Sequence, residues 1–218
     1  MGDLETTVAG ERVLLLAERA LFRPLTGELL VADPHWGKAA AFRAAGVPVP
    51  GGTTAEGLER LTRALERTGA AKLVILGDLF HARSSKQPAT LDTVRAWRDR
   101  HAALPVTLIR GNHDRHAGDP PGELGIDCCE APCAALPFLL AHHPFEAEAG
   151  YVLAGHVHPS VTLRGAGRQR ERLPCFHFGA RVGVLPAFGA FTGTADVAVE
   201  PGDRVFVVAG DQVLRVGG

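Results

Sequence analysis

Five short apolar runs in this chain each end on residues that can bind a metal or move a proton. The most informative stretch is Val106–Asp114, Val-Thr-Leu-Ile-Arg-Gly-Asn-His-Asp, where Gly111 breaks a mostly β-branched and apolar run and Asn112, His113 and Asp114 follow at once. Leu29–Ala32 runs into Asp33-Pro34-His35, and Leu73–Leu76 into Gly77-Asp78 with His81 just beyond. Phe138–Ala141 runs into His142-His143, and Val152–Ala154 into Gly155-His156-Val157-His158. Short apolar runs bounded by Gly and polar residues are the pattern of buried strands. In open α/β sheets the loops leaving the carboxyl ends of strands form the ligand crevice. One such turn is equally a polar cap on a strand; five, holding seven of the ten histidines, point to a metal site.

Carboxylate oxygens, an amide oxygen and several imidazoles suit Mn, Fe or Zn better than Ca or Mg, which prefer all-oxygen shells. The donors exceed the needs of one ion. Two ions about 3.5–4 Å apart would clamp a phosphate and generate a hydroxide for in-line attack. The expected cofactors are therefore two divalent transition-metal ions, Mn2+ foremost, with Fe or Zn as alternatives. Lys38, Arg43 and Arg115 lie beside the motifs and are candidate contacts to a substrate phosphate. For Lys38 the plain alternative is a solvated helix start.

The rest of the chain must position these groups. Val8–Ala17 and Leu21–Pro24 read as an opening strand pair, and Ala39–Ala45 as a helix. Thr53 with Glu56 three residues on matches a capping box, and Leu58, Leu61 and Leu65 then share one helical face. Lys72–Leu76 follows, so a β-α-β crossover joins Asp33 to Asp78 and makes their strands parallel. Pro88 suits a helix's first turn, with Leu91, Val94 and Trp97 on the buried face. Gly125–Cys129 reads as a short strand. From Phe138 the pattern turns to closely spaced strands, at Phe138–Ala141, Tyr151–Ala154, Val161–Leu163, Pro174–Phe178, Val182–Leu185, Val197–Val199, Val205–Ala209 and Val213–Val216. Gly210-Asp211 joins the last two as a tight hairpin. An α/β first half and a β-rich second half, both supplying ligands, imply two packed sheets with helices outside.

Composition bounds the partners. The 218 residues are 46% hydrophobic and 22% charged, an ordinary globular balance expected to form one domain over 1–218. A formal net charge of −1 gives no global field toward a polyanion, which metal and a few arginines would have to hold locally. Arg164–Arg172 carries Arg164, Arg168, Arg170 and Arg172 against Glu171, and reads as a solvated hairpin tip or a tether for flanking phosphates. Cys128, Cys129, Cys133 and Cys175 contain no Cys-x-x-Cys pair and read as buried, reduced thiols. No run approaches the roughly 18 apolar residues of a membrane span, and the first residues lack a signal-peptide layout. The expected location is the cytoplasm.

Asp33-x-His35, Gly77-Asp78, Gly111-Asn112-His113-Asp114, His142 and Gly155-His156-Val157-His158 resemble, in order and interval, the five blocks of the calcineurin-like metallophosphoesterases. Leu30–Asp33, Gly37–Arg43, Gly77–Arg83 and Leu185–Gly193 are similar to the bacterial DNA-ligase-associated branch of that family. The resemblance implies an α/β (α+β) four-layer sandwich, two mixed β-sheets flanked by helices. It implies that Asp33, His35 and His158 hold one metal with bridging Asp78, and that Asn112, His142 and His156 hold the second with the other face of Asp78. His142 is preferred to His143 because it directly follows the apolar run. His113 would be the general acid for the leaving oxygen, with Asp114 orienting its ring.

Two departures from the commonest family text stand out. Pro34 and Trp36 flank His35, and Trp36 is placed to narrow or floor the pocket. His81 stands where many relatives carry Asp. The implied activity is phosphodiester hydrolysis, with DNA as a candidate substrate and a DNA ligase, a helicase and an exonuclease as candidate repair partners. A small-molecule phosphoesterase, or a weakly active accessory subunit of a repair complex, are the alternatives, since fold does not fix substrate.

Overall fold

The computed structural model describes residues 2–165, 167 and 169–216; Arg168 of the arginine-rich turn lies outside the described residues. The first half runs β1 (Leu4–Val8), β2 (Glu11–Leu16), β3 (Ala20–Arg23), β4 (Glu28–Ala32), α1 (Lys38–Ala44), α2 (Thr53–Thr68), β5 (Lys72–Leu76), α3 (Pro88–Arg100), β6 (Val106–Ile109), α4 (Asn112–Ala117) and β7 (Ile126–Cys129). These strands form one sheet in chain order, β1 to β4 antiparallel and β4 to β7 parallel. The second half supplies β8 (Cys133–Ala135), β9 (Phe138–Leu140), β10 (Tyr151–Ala154), β11 (Pro159–Arg164), β12 (Arg170–Phe178), β13 (Val182–Val184), β14 (Ala195–Asp196), β15 (Arg204–Ala209) and β16 (Gln212–Val216). Its sheet runs β14-β11-β12-β13-β10-β9-β8, with β15 and β16 extending from β12. Two mixed sheets flanked by helices is the expected fold class.

Strand periodicity explains the layering. Along β4 and β5, Leu29, Val31, Leu73 and Ile75 face α2 and α3, where they pack with Leu58, Leu61, Val94 and Trp97. The alternate residues Leu30, Ala32, Val74 and Leu76 face the second sheet and meet Phe138, Leu153, Phe176, Phe178 and Phe206. A strand buried on both faces reads as a continuous apolar run, which is why these strands were legible. Each fully buried Leu of α2 contributes about 1.5–3 kcal/mol. The parallel register aligns Ala32, Leu76 and Ile109, so Asp33, Asp78 and the Gly111 turn leave the sheet at one edge.

Several expectations need correction. Thr53 does not cap α2: Gly52 precedes it with φ 83, no side chain caps the helix, and the Thr54 hydroxyl instead accepts the Gly37 N–H at 3.0 Å. The Asn112–Ala117 stretch is a helix, not a bare turn. Strands β1 and β8 were not anticipated, and the strand expected at Val197–Val199 is instead the two-residue β14, fixed by parallel pairing to β11. Cys129 and Cys133 form a disulfide across the β7–β8 turn, so only Cys175 is a buried thiol and Cys128 is half-buried. Trp36 does not line the pocket; it is 2% exposed and packs edge-on against Phe80 and Trp97.

Candidate metal centre

The exits of β4, β5, β6, β9 and β10 converge on two clusters that share Asp78. Its Oδ1 lies 3.4 Å from His142 Nε2, while its Oδ2 lies 3.9 Å from His35 Nε2. In the first cluster, Asp33 Oδ1 is 3.5 Å from His158 Nε2, and the His35 and His158 Nε2 atoms are 3.4 Å apart. In the second, His142 Nε2 is 2.9 Å from Asn112 Oδ1 and 3.1 Å from His156 Nδ1. His142 is fully buried, whereas His143 is exposed with its ring beside His156, although its nitrogen also comes within 4.8 Å of theirs.

The proton positions follow from the backbone. A carbonyl oxygen only accepts, so His142 Nδ1 must carry the proton it donates to Leu76 O at 3.0 Å, and His158 Nδ1 the one it donates to Gly193 O at 2.9 Å. In the neutral rings each Nε2 is then a lone pair turned toward carboxylate and amide oxygens. Asp33 Oδ1 is buried with no hydrogen-bond partner, and so is His35 Nδ1. With both rings neutral, acceptors face acceptors with an orphaned carboxylate oxygen among them, an arrangement that a pair of cations would satisfy. Burial raises the Asp78 pKa from its ordinary value, opposed by His142 and reinforced by Asp33. Burial also pushes His35 down to about 2, which leaves it neutral and able to coordinate.

Backbone strain is concentrated here. Among the described residues seven non-glycine positions have positive φ, and five of them are Asp33 (54°), His35 (47°), Asp78 (54°), His156 (68°) and His158 (51°). Asp and His tolerate the left-handed region better than most side chains, but each still costs of order 1 kcal/mol and persists only where surrounding structure imposes it. Glycines make room for the ligands. A Cβ at Gly77 would enter the His142 ring, one at Gly111 would meet Asp78 Oδ1, and one at Gly155 would lie 2.6 Å from Asp33 Oδ2.

His113 faces the same space. Its backbone N–H donates to Asp78 Oδ1 at 3.0 Å, and its Nε2 lies 3.9 Å from Asp78 Oδ2. Asp114 does not orient the ring. Its Oδ2 accepts the N–H groups of Asp78 and Gly111 at 2.7 and 2.8 Å, and its Oδ1 that of Leu79 at 3.0 Å, so it ties the two exit loops together. The ring is oriented by His81, whose carbonyl accepts from His113 Nδ1 at 2.6 Å and whose imidazole stacks on it at 4.8 Å. The sequence marks His81 as a candidate donor and as a departure from the family text, but not as the group that orients His113. Its role runs through a backbone carbonyl, which leaves no mark on residue type.

The expected phosphate contacts divide. Lys38 is half-buried beside His35, burial holding its amine below the ordinary lysine range against the pull of Asp78 and Asp33. Arg43 turns away to the carbonyls of Val49 and Pro50, at 3.5 and 2.9 Å. Arg115 is exposed and paired with Glu130 at 3.1 Å. In the arginine-rich turn, Arg172 is held by Asp196 at 2.8 Å, while Arg164 and Arg170 face each other across the hairpin.

Two facing mixed sheets gather the candidate ligands at their common edge, and likeness to known proteins makes the chain a metal-dependent phosphoric ester hydrolase. The model of the calcineurin-like phosphoesterase family matches residues 29–148, and the chain belongs to that family. Among solved structures, a nuclease MPE from Pseudomonas putida is 43% identical, with 99% of this chain and 100% of that chain covered and a TM-score of 0.88. YfcE, a phosphoesterase from E. coli, is 15% identical over 87% of this chain and 97% of that one, with a TM-score of 0.40. No curated protein sequence matches the chain.

Proposed function

We propose that this chain is a two-metal phosphodiesterase that cuts nucleic acid, with Mn2+ as its metal, working in the cytoplasm beside a DNA ligase, a helicase or an exonuclease in repair. The observation that carries the catalytic part is the position of Asp78, one oxygen toward His142 and the other toward His35. Asp33, His35 and His158 would hold one ion and Asn112, His142 and His156 the other, with Asp78 between them. When bound, the two ions supply the charge that draws in a phosphate and a nucleophile from water at neutral pH. The 43% identical Pseudomonas putida nuclease supports nucleic acid as the substrate.

His113 handles the leaving group. Because Nδ1–H is committed to the His81 carbonyl, proton traffic runs through Nε2, which faces the site. As water adds to phosphorus and releases a proton to solvent, the ester P–O bond breaks and the departing oxygen takes the proton from His113 Nε2, which solvent then replaces. Asp114 is a positioning residue that fixes the loops of Asp78 and His113. Lys38 is the cation within reach of a bound phosphate.

A small-molecule phosphoesterase is the second reading, favoured by the net charge of −1. Turnover of bis-p-nitrophenyl phosphate, p-nitrophenyl phosphate, and single-stranded and duplex DNA separates the two. Cleavage of the diester and of DNA supports the nuclease. Hydrolysis of the monoester alone, with DNA untouched, overturns it.

A further inference from the structure

We infer that Phe191, backed by Phe42, is a stacking platform for a nucleobase of the substrate beside the metal centre. The inference rests on the nucleic-acid reading above and adds what recognises the base. Phe191 is 36% exposed, an aromatic ring left in solvent next to a catalytic cleft. A continuous aromatic path links it to the chemistry: Phe191 meets Phe42 edge-on at 5.8 Å, Phe42 meets His81 at 5.6 Å, and His81 stacks on His113 at 4.8 Å.

The ring is held in place, not loosely displayed. Its loop is bonded at both ends to the strand exits that carry metal ligands. Phe188 N–H donates to Ala32 O at 2.7 Å and Gly189 N–H to Asp33 O at 3.1 Å, while Gly193 O accepts from His158 Nδ1 at 2.9 Å. The Thr192 hydroxyl closes the turn onto Gly189 O at 3.0 Å. A Cβ at Gly189 would lie 2.7 Å from Pro34 O, so only glycine lets the loop pass this close to the metal-side backbone. Lys38 shares a cleft with Pro34, His35, Thr53, Thr54 and Phe191, its Nζ 5.9 Å from the Phe42 centroid.

A cation followed by an exposed π-face is the complement of a phosphate followed by a base. Stacking on aromatic side chains is tolerant of base identity, because every base has a π-face.

The test uses the metal-loaded protein and two oligonucleotides of one length, one bearing bases with a 2-aminopurine reporter, the other abasic throughout its centre. The expected results are a lower KM for the base-bearing strand and quenching of 2-aminopurine on binding. Phe191→Ala should raise KM about 10-fold more for the base-bearing strand than for the abasic one, with kcat little affected, and relieve the quenching. Phe191→Trp should restore both readouts, whereas Phe191→Leu, apolar but without a flat ring, should not. Equal KM values for the two strands in the unmodified protein, or rescue by Leu as good as by Trp, would overturn the platform and leave the nuclease reading standing. Hydrolysis of bis-p-nitrophenyl phosphate with neither strand cut would overturn both.

Discussion

Replacing Gly111 by Ala probes the geometry of the centre without removing a ligand. Gly111 has φ −96° and ψ −176°, a conformation open to any residue, so the added methyl brings no backbone strain. The effect is steric alone. The new Cβ would meet Asp78 Oδ1 directly and lie 2.8 Å from Asp78 N and 2.9 Å from His142 Cδ2, where ordinary contact begins at 3.4 Å. The Asp78 carboxylate must therefore retreat by about 1 Å and His142 by roughly half an ångström, and misplacement on that scale costs about 100-fold in rate. Both groups are packed and hydrogen-bonded, so the crowding should also lower stability by about 1–3 kcal/mol. Expected outcomes are a fall in kcat/KM for bis-p-nitrophenyl phosphate of about 30- to 100-fold at saturating Mn2+ and a lower melting temperature. Wild-type turnover in Gly111→Ala would refute the placement of Asp78 at the centre of the site.

His113→Ala should lower kcat by about 10²–10⁴ with metal content unchanged, and the loss should shrink as the leaving group becomes more acidic; an equal penalty for good and poor leaving groups argues against proton donation. Arg23 is 1% exposed and binds both Glu11 and Glu28 at the far end of β4 from Asp33. Arg23→Ala leaves those carboxylates buried without it, so stability should drop by about 3–5 kcal/mol with turnover per folded molecule intact; unchanged urea denaturation would show the cluster to be idle. In the arginine-rich turn, Arg172 is already neutralised by Asp196. Arg164→Ala with Arg170→Ala should then flatten the slope of log K against log salt on DNA by about 1–2, and an unaltered slope would mark the hairpin as solvated surface.

The candidate metal ligands are legible because each lies just beyond the end of a strand that reads as apolar on both faces, and parallel register does the rest. Less legible was whatever depends on backbone. The carbonyls of Leu76, His81 and Gly193 set which nitrogen of each histidine is free, yet a carbonyl is the same in every residue. Asp114 illustrates the limit: adjacency to His113 suggested a partner for its ring, but in α4 neighbouring side chains point to different faces, and the carboxylate turns to the Asp78 loop. Thr53 failed as a cap because tertiary contact with Gly37 drew on Thr54 and glycine opened the helix. The short β14 has no pattern of its own and exists through its pairing with β11.

The central claim is that one carboxylate joins two metal sites. Its most direct test is titration of metal-free protein with Mn2+, following bound metal per chain and turnover of bis-p-nitrophenyl phosphate together, for the natural chain and for Asp78→Asn. The expected result is two Mn2+ bound per natural chain, with activity rising only as the second site fills. Asp78→Asn should lose tight binding of one ion and nearly all turnover. Two tightly held ions with wild-type turnover in Asp78→Asn, or full activity of the natural chain with a single ion, would contradict the account.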